Sequence, residues 1–177
     1  MARASNRTQL LEAAIRVAER EGLPAVTLES VATEAGLTKG GLLYHFPTRR
    51  ALLVGVYTHL AELWHADMVA ELGSQPEDAD PGERLRAYIR VSSQAMSKAE
   101  LVYLADAGDD PDLTEDWKRV SDRWILPIEE AAATHPGVAV ACLAADGLWV
   151  HDALSGRQLP QEVRDRLVAR ILALLDQ

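Results

Sequence analysis

The chain has 177 residues, 48% of them apolar, a formal net charge of −9 and one cysteine, Cys142. That length and apolar content allow a sizeable core and argue against disorder, and a lone cysteine excludes an intramolecular disulfide. The charge is uneven: residues 1–50 hold seven Lys/Arg against five Asp/Glu, and the remainder eleven against twenty-two. Phosphate attraction is screened within about 10 Å, so only a contacting surface has to be basic, and the acidic remainder does not exclude a nucleic-acid partner.

A short basic arm with Arg3 precedes a first helix expected over about 7–21, with Leu10, Leu11, Ala14, Ile15, Val17 and Ala18 on its inner side. Thr27 is a good N-cap, and Leu28, Val31, Ala32 and Ala35 recur at helical spacing behind it. Gly36 stops that helix, and Thr38 can cap a second short one ending near Phe46, before Pro47. Two short helices joined by a tight glycine turn form the helix-turn-helix layout, whose second helix reads the major groove. That helix offers Lys39 near its start, Gly40 and Gly41 for close backbone approach, and Tyr44 and His45 at its end.

A long helix is expected over about 48–72, with a broad apolar face that includes Tyr57 and Trp64. The stretch 73–82 reads as a loop, and the next helix, about 83–97, places Leu85, Tyr88, Ile89, Ser92 and Met96 on one face. A shorter piece follows over about 99–107. Asp110 and Pro111 then open a helix expected to run to about Thr134, with Pro127 kinking it. The acidic loop 108–112 lacks the ligand spacing of a calcium loop. Two helices, about 137–154 and 161–175, finish an all-α pattern of about nine helices. No stretch reads as ~20 consecutive apolar residues, so no membrane partner is expected and the chain is expected in the cytoplasm.

Around the helix-turn-helix the chain resembles the TetR family of bacterial repressors. The residues that carry the resemblance are Glu21-Gly22, Val26-Thr27-Leu28, Val31-Ala32, Ala35-Gly36-Leu37 and Tyr44-His45-Phe46-Pro47. The resemblance implies a three-helix DNA-binding domain over 1–50 and an effector-binding and dimerisation domain over 51–177. It puts Lys39 and Gly40 at base-reading positions, Tyr44, His45 and Arg49 at phosphate positions, and Thr27 and Thr38 at helix starts that also hold phosphates. Gly41 stands where the family often has Thr or Ser, and Leu43 where it often has Tyr. Base readout would then rest more on Lys39 and on DNA shape.

The family binds a small effector among its C-terminal helices, for which Trp64, Tyr88, Ser92, Met96, Tyr103, Trp117, Trp124 and Trp149 are the candidates here. Asp146 is the lone charged residue between Gly137 and Val150. It would hold a cationic ligand or pair with an arginine such as Arg123. The acidic balance and the aromatics favour a flat or lipophilic cation. A four-helix dimer interface is expected from Leu167, Ile171 and Leu174, with Val163 and the small face Ala141, Ala145 and Leu148. A dimer places two reading helices on a palindromic operator.

Other chemistry has weaker support. Cys142 with His135 or His151 would suggest a thiol nucleophile, but its alanine-rich setting is that of an inert buried thiol. Glu62 and His65 are three apart with no matching second pair, so no metal, cofactor or catalytic site is expected. The rival reading is a ligand-binding or scaffold protein that no longer binds DNA.

Overall fold

A computed structural model describes residues 5–94, 98–108 and 110–176, which form ten α-helices joined by turns. They are α1 (Asn6–Glu21), α2 (Leu28–Glu34), α3 (Lys39–His45), α4 (Arg49–Leu72), α5 (Pro81–Ser92), α6 (Lys98–Ala107), α7 (Pro111–Ser121), α8 (Ile128–Thr134), α9 (Pro136–Ser155) and α10 (Gln161–Leu172). Met96 lies outside the described residues. The helices fall into two compact units, 1–62 with 97–117 and 63–96 with 118–177.

Local chemistry sets the helix ends. The Ser5 hydroxyl accepts from the Thr8 amide at 3.2 Å and starts α1. Thr27 and Ser30 bond reciprocally to each other's backbone and start α2. Gly36 at φ 66 ends it, and the Leu37 amide reaches back to the Ala32 carbonyl at 2.9 Å. Thr38 accepts from the Gly41 amide at 3.1 Å to start α3, and Asp80 with Glu83 forms the same kind of box at α5.

One expectation fails here. The stretch from Pro111 is not one kinked helix but two, because the chain leaves α7 at Ser121, six residues before Pro127. Proline disfavours helical backbone in the residue before it, and the chain tightens into short turns, with the Trp124 amide on the Ser121 carbonyl at 2.8 Å. That break also means Trp117 and Trp124 do not share a helix face.

The first unit closes on Leu10, Leu11, Val17, Val31, Leu42, Leu52 and Val56, all essentially unexposed. Tyr57 and Tyr103 meet edge to face at 5.5 Å. The Tyr57 hydroxyl donates to the Tyr103 carbonyl at 2.5 Å and the Tyr103 hydroxyl to the Ala14 carbonyl at 3.1 Å. Burial raises both phenol pKa values above their ordinary range. Arg50 forks onto Asp110 at 2.8 and 3.1 Å and reaches Asp112 at 2.6 Å, holding the acid pKa of Asp110 below normal.

The second unit is built on α9, packed against α5, α8 and α10. By length and composition α9 is apolar enough to cross a membrane, contrary to the expectation that no stretch qualifies. Packing against three helices covers one side of it, with Ala139, Ala141, Cys142 and Ala145 buried. Arg164 of α10 is buried, paired with buried Asp152 of α9, and donates to the Ser93 carbonyl at the end of α5. One oxygen of Asp152 and the Ser93 hydroxyl have no hydrogen-bond partner among the described residues.

Candidate nucleic-acid interface and ligand cavity

The outer side of α3 faces solvent with Lys39, Gly40, Gly41, Leu43 and Tyr44, the last 85% exposed. Tyr44 and His45 stack edge to face at 5.1 Å, so the phenol stands clear of the surface at the end of α3. Leu42 and Phe46 point inward and anchor the helix, and the Arg7 guanidinium lies 5.4 Å from the Phe46 ring. Lys39 makes no ion pair among the described residues, whereas Arg16 and Arg20 are held by Glu34, whose acid pKa they depress.

The two glycines of α3 are informative. A Cβ on Gly40 would meet nothing within 4 Å, and one on Gly41 only the Thr38 hydroxyl at 3.3 Å. Nothing among the described residues demands glycine there, yet each costs a helix interior about 1 kcal/mol relative to alanine.

Arg49 is placed differently from the expected phosphate ligand. Its Nε donates to the Val26 carbonyl at 2.7 Å and its Nη2 to the Leu23 carbonyl at 3.0 Å. It braces the turn before α2, and sequence spacing gives no hint of so distant a pairing. Thr27 and Thr38 are exposed, each engaged in its helix cap.

The expected ligand residues do not gather at one place. Tyr103 is in the core of the first unit, and Trp117 belongs to that unit too. In the second unit Trp64 meets Tyr88 edge to face at 6.0 Å, and the Tyr88 hydroxyl donates to Asp146 at 2.5 Å. Burial raises the Asp146 acid pKa, with the Tyr88 bond opposing, and raises that of Tyr88 further out of range. Asp146 thus pairs with a phenol rather than with Arg123, which goes to Glu77 at 2.8 Å. Ser92 is buried beside Tyr88, and Trp149 is half-buried.

A cavity of about 460 Å³ opens beside this group. Leu85, Trp124, Ile125, Leu126, Val138 and Leu175 make it apolar, and Cys142 forms part of the wall. Of the expected ligand residues, Trp124 lines it; its indole N–H donates to His65 Nδ1 at 3.1 Å. Burial, then the Arg123 charge, lower the His65 pKa. Arg84, Arg86 and Arg123 also border the space and were not among the expected ligand residues. Burial pushes the Cys142 thiol up to about 11, which leaves it protonated and unreactive at neutral pH.

The expected self-association face needs one correction. Ala141 and Ala145 are 0% exposed inside the protomer, because α9 turns them toward its own neighbours. The apolar residues that α9 leaves outside are Val140, Leu143 and Leu154, with Gly147 between them. Leu167 is 39% exposed on α10, Leu148, Val163 and Leu174 are half-buried, and Ile171 is buried.

Residues 10–56 match the family model of bacterial regulatory proteins of the tetR family, and 82–176 match the tetracyclin repressor-like C-terminal domain. The chain is 32% identical over 168 residues to the HTH-type transcriptional regulator BetI of Burkholderia mallei (strain NCTC 10229), covering 86% of this chain and 84% of that one. A transcriptional regulator from Saccharomonospora viridis, solved in complex with choline, superposes with a TM-score of 0.67 at 20% identity, covering 97% and 95% of the two chains. The multidrug binding protein EbrR, complexed with ethidium, gives 0.59 at 22% identity, over 94% and 98%. At such identities the solved structures share the fold alone.

Proposed function

This chain belongs to the TetR family of DNA-binding transcriptional regulators, not enzymes, and on that footing we propose that it acts as a ligand-responsive repressor. Two copies bind a palindromic operator, each laying α3 in the major groove. Residues 1–50 serve DNA binding, and 51–177 serve dimerisation and effector binding. The effector enters the apolar cavity of the second unit and favours a conformer in which the two reading helices no longer match the operator spacing.

The observation that carries this reading is the bare surface of α3: two glycines that nothing among the described residues requires, between a lysine with no ion pair among them and an exposed tyrosine. The test is Gly40→Ala. Its methyl group has open space and improves helix propensity, so the protein should become slightly more stable while losing operator affinity. Titration against the DNA upstream of the protein's own gene, at several salt concentrations, reads the second effect. Unchanged affinity would remove the argument from α3. No salt-dependent binding of that DNA by the unmodified chain would favour the alternative, a ligand-binding helical protein without an operator.

A lipophilic cation is a second reading of the effector. It is favoured by the aromatic–carboxylate group of Trp64, Tyr88 and Asp146 and by the choline and ethidium held by the two solved neighbours. Against it, Asp146 does not line the cavity, and its carboxylate is engaged by Tyr88.

A further inference from the structure

We propose that the cavity of the second unit takes an amphipathic carboxylate, with Arg84 as the residue that receives the acid group. This rests on the reading of that cavity as the effector site.

The cavity needs an apolar body: at about 460 Å³, walled by Leu85, Trp124, Ile125 and Val138, it suits an acyl chain or fused ring. Its fixed charge is positive. Arg86 is engaged by Asp176 at 2.5 Å and Arg123 by Glu77 at 2.8 Å, so both are largely neutralised. Arg84 stands apart. It has no carboxylate partner among the described residues, and its Nη1 makes one long bond, 3.3 Å, to the Arg123 carbonyl. Its Nε is buried and has no hydrogen-bond partner among the described residues.

A guanidinium with no carboxylate partner in an apolar wall keeps donors that are costly to leave unmade. Such a group offers parallel donors, which match the two oxygens of a carboxylate. An acid group there would complete Arg84, while its apolar body covers Trp124. Asp122 is the one carboxylate in the lining, and it is exposed, where solvent screens it. A quaternary ammonium placed in the same space would face the Arg84 guanidinium with no buried carboxylate among the lining residues.

The experiment keeps the body constant and changes the head: decanoate, decanol and decyltrimethylammonium are titrated into the full chain, read by calorimetry and by tryptophan fluorescence. Decanoate should bind at least about tenfold more tightly than decanol, as a hydrogen-bonded charge pair implies. Arg84→Gln should erase roughly ten- to a hundred-fold of decanoate affinity and leave decanol unchanged. Stronger binding of decyltrimethylammonium, or decanoate affinity indifferent to Arg84→Gln, would overturn the carboxylate assignment and leave the cavity as effector site intact. Binding of none of the three would overturn both. The head series on the unmodified chain decides the matter even if the variant does not fold.

Discussion

Gly55, in the middle of α4, is where the first unit has no room for a single methyl group. A Cβ there would stand 2.7 Å from Cε1 of Phe46 and 3.2 Å from Cδ2 of Leu11, whereas carbon atoms rest at about 3.5–4.0 Å. Phe46 is 3% exposed and Leu11 1%, so neither side chain has space to retreat into. Gly55→Ala gains about 1 kcal/mol of helix propensity and loses about 1–3 kcal/mol to overpacking. The net expectation is a loss near 1 kcal/mol, or about 2–4 °C in melting temperature at this chain length. DNA affinity should suffer more than stability, because Phe46 closes α3 and its displacement drags the exposed Tyr44 with it. Thermal unfolding by circular dichroism and operator titration measure the two effects, and Phe46→Leu in the same chain should restore most of both. Gly147→Ala, which meets nothing within 4 Å, is the control and should not destabilise the monomer. A melting temperature for Gly55→Ala at or above that of the parent would refute the packing argument.

Lys39→Ala should cost about 1–3 kcal/mol of operator affinity and relax sequence preference, seen by titrating operator variants against each other. Arg49→Ala should instead lower the melting temperature by stripping the Val26 and Leu23 carbonyls of their donors, and an unchanged melt would reassign that residue to DNA. Val140→Glu with Leu143→Glu places charges on the outer face of α9; light scattering should report monomers, and a persistent dimer would put the interface elsewhere. Asp146 has a raised acid pKa, so the folded chain holds its proton more tightly than the unfolded chain. Its contribution to stability is therefore greatest below about pH 4 and is lost as pH rises through the folded value. Asp146→Asn should raise the melting temperature at neutral pH with no gain at low pH, and parallel pH profiles for both proteins would contradict the assignment.

Features decided within a few residues were legible in the sequence, and those decided across the chain were not. Thr27, Gly36 and Thr38 act on backbone groups within five residues, so the caps of α2 and α3 could be read directly. Arg49 finds its acceptors 23 and 26 residues upstream, which no local pattern encodes. On α9 nearly every side is apolar, so periodicity could not say that Ala141 and Ala145 face inward while Val140 and Leu143 face out. Tyr103 read as a pocket aromatic because burial among ligands and burial in a core leave the same mark on a sequence. Arg84 and Arg86 were not expected at a cavity, because their polarity is local and their surroundings are not.

The buried pair of Arg164 and Asp152 bears on how this protein can change over generations. Losing either partner alone would strand a charge inside the unit at about 3–5 kcal/mol, a large part of the 5–15 kcal/mol that holds a domain together. Replacing both at once with apolar residues costs little or nothing. A lineage moving by single substitutions meets a barrier there that a double change does not, so the two positions should be inherited as a unit: both ionic in one branch, both apolar in another, with mixed states rare. The attachment of the last helix is thus a historical constraint as well as an energetic one.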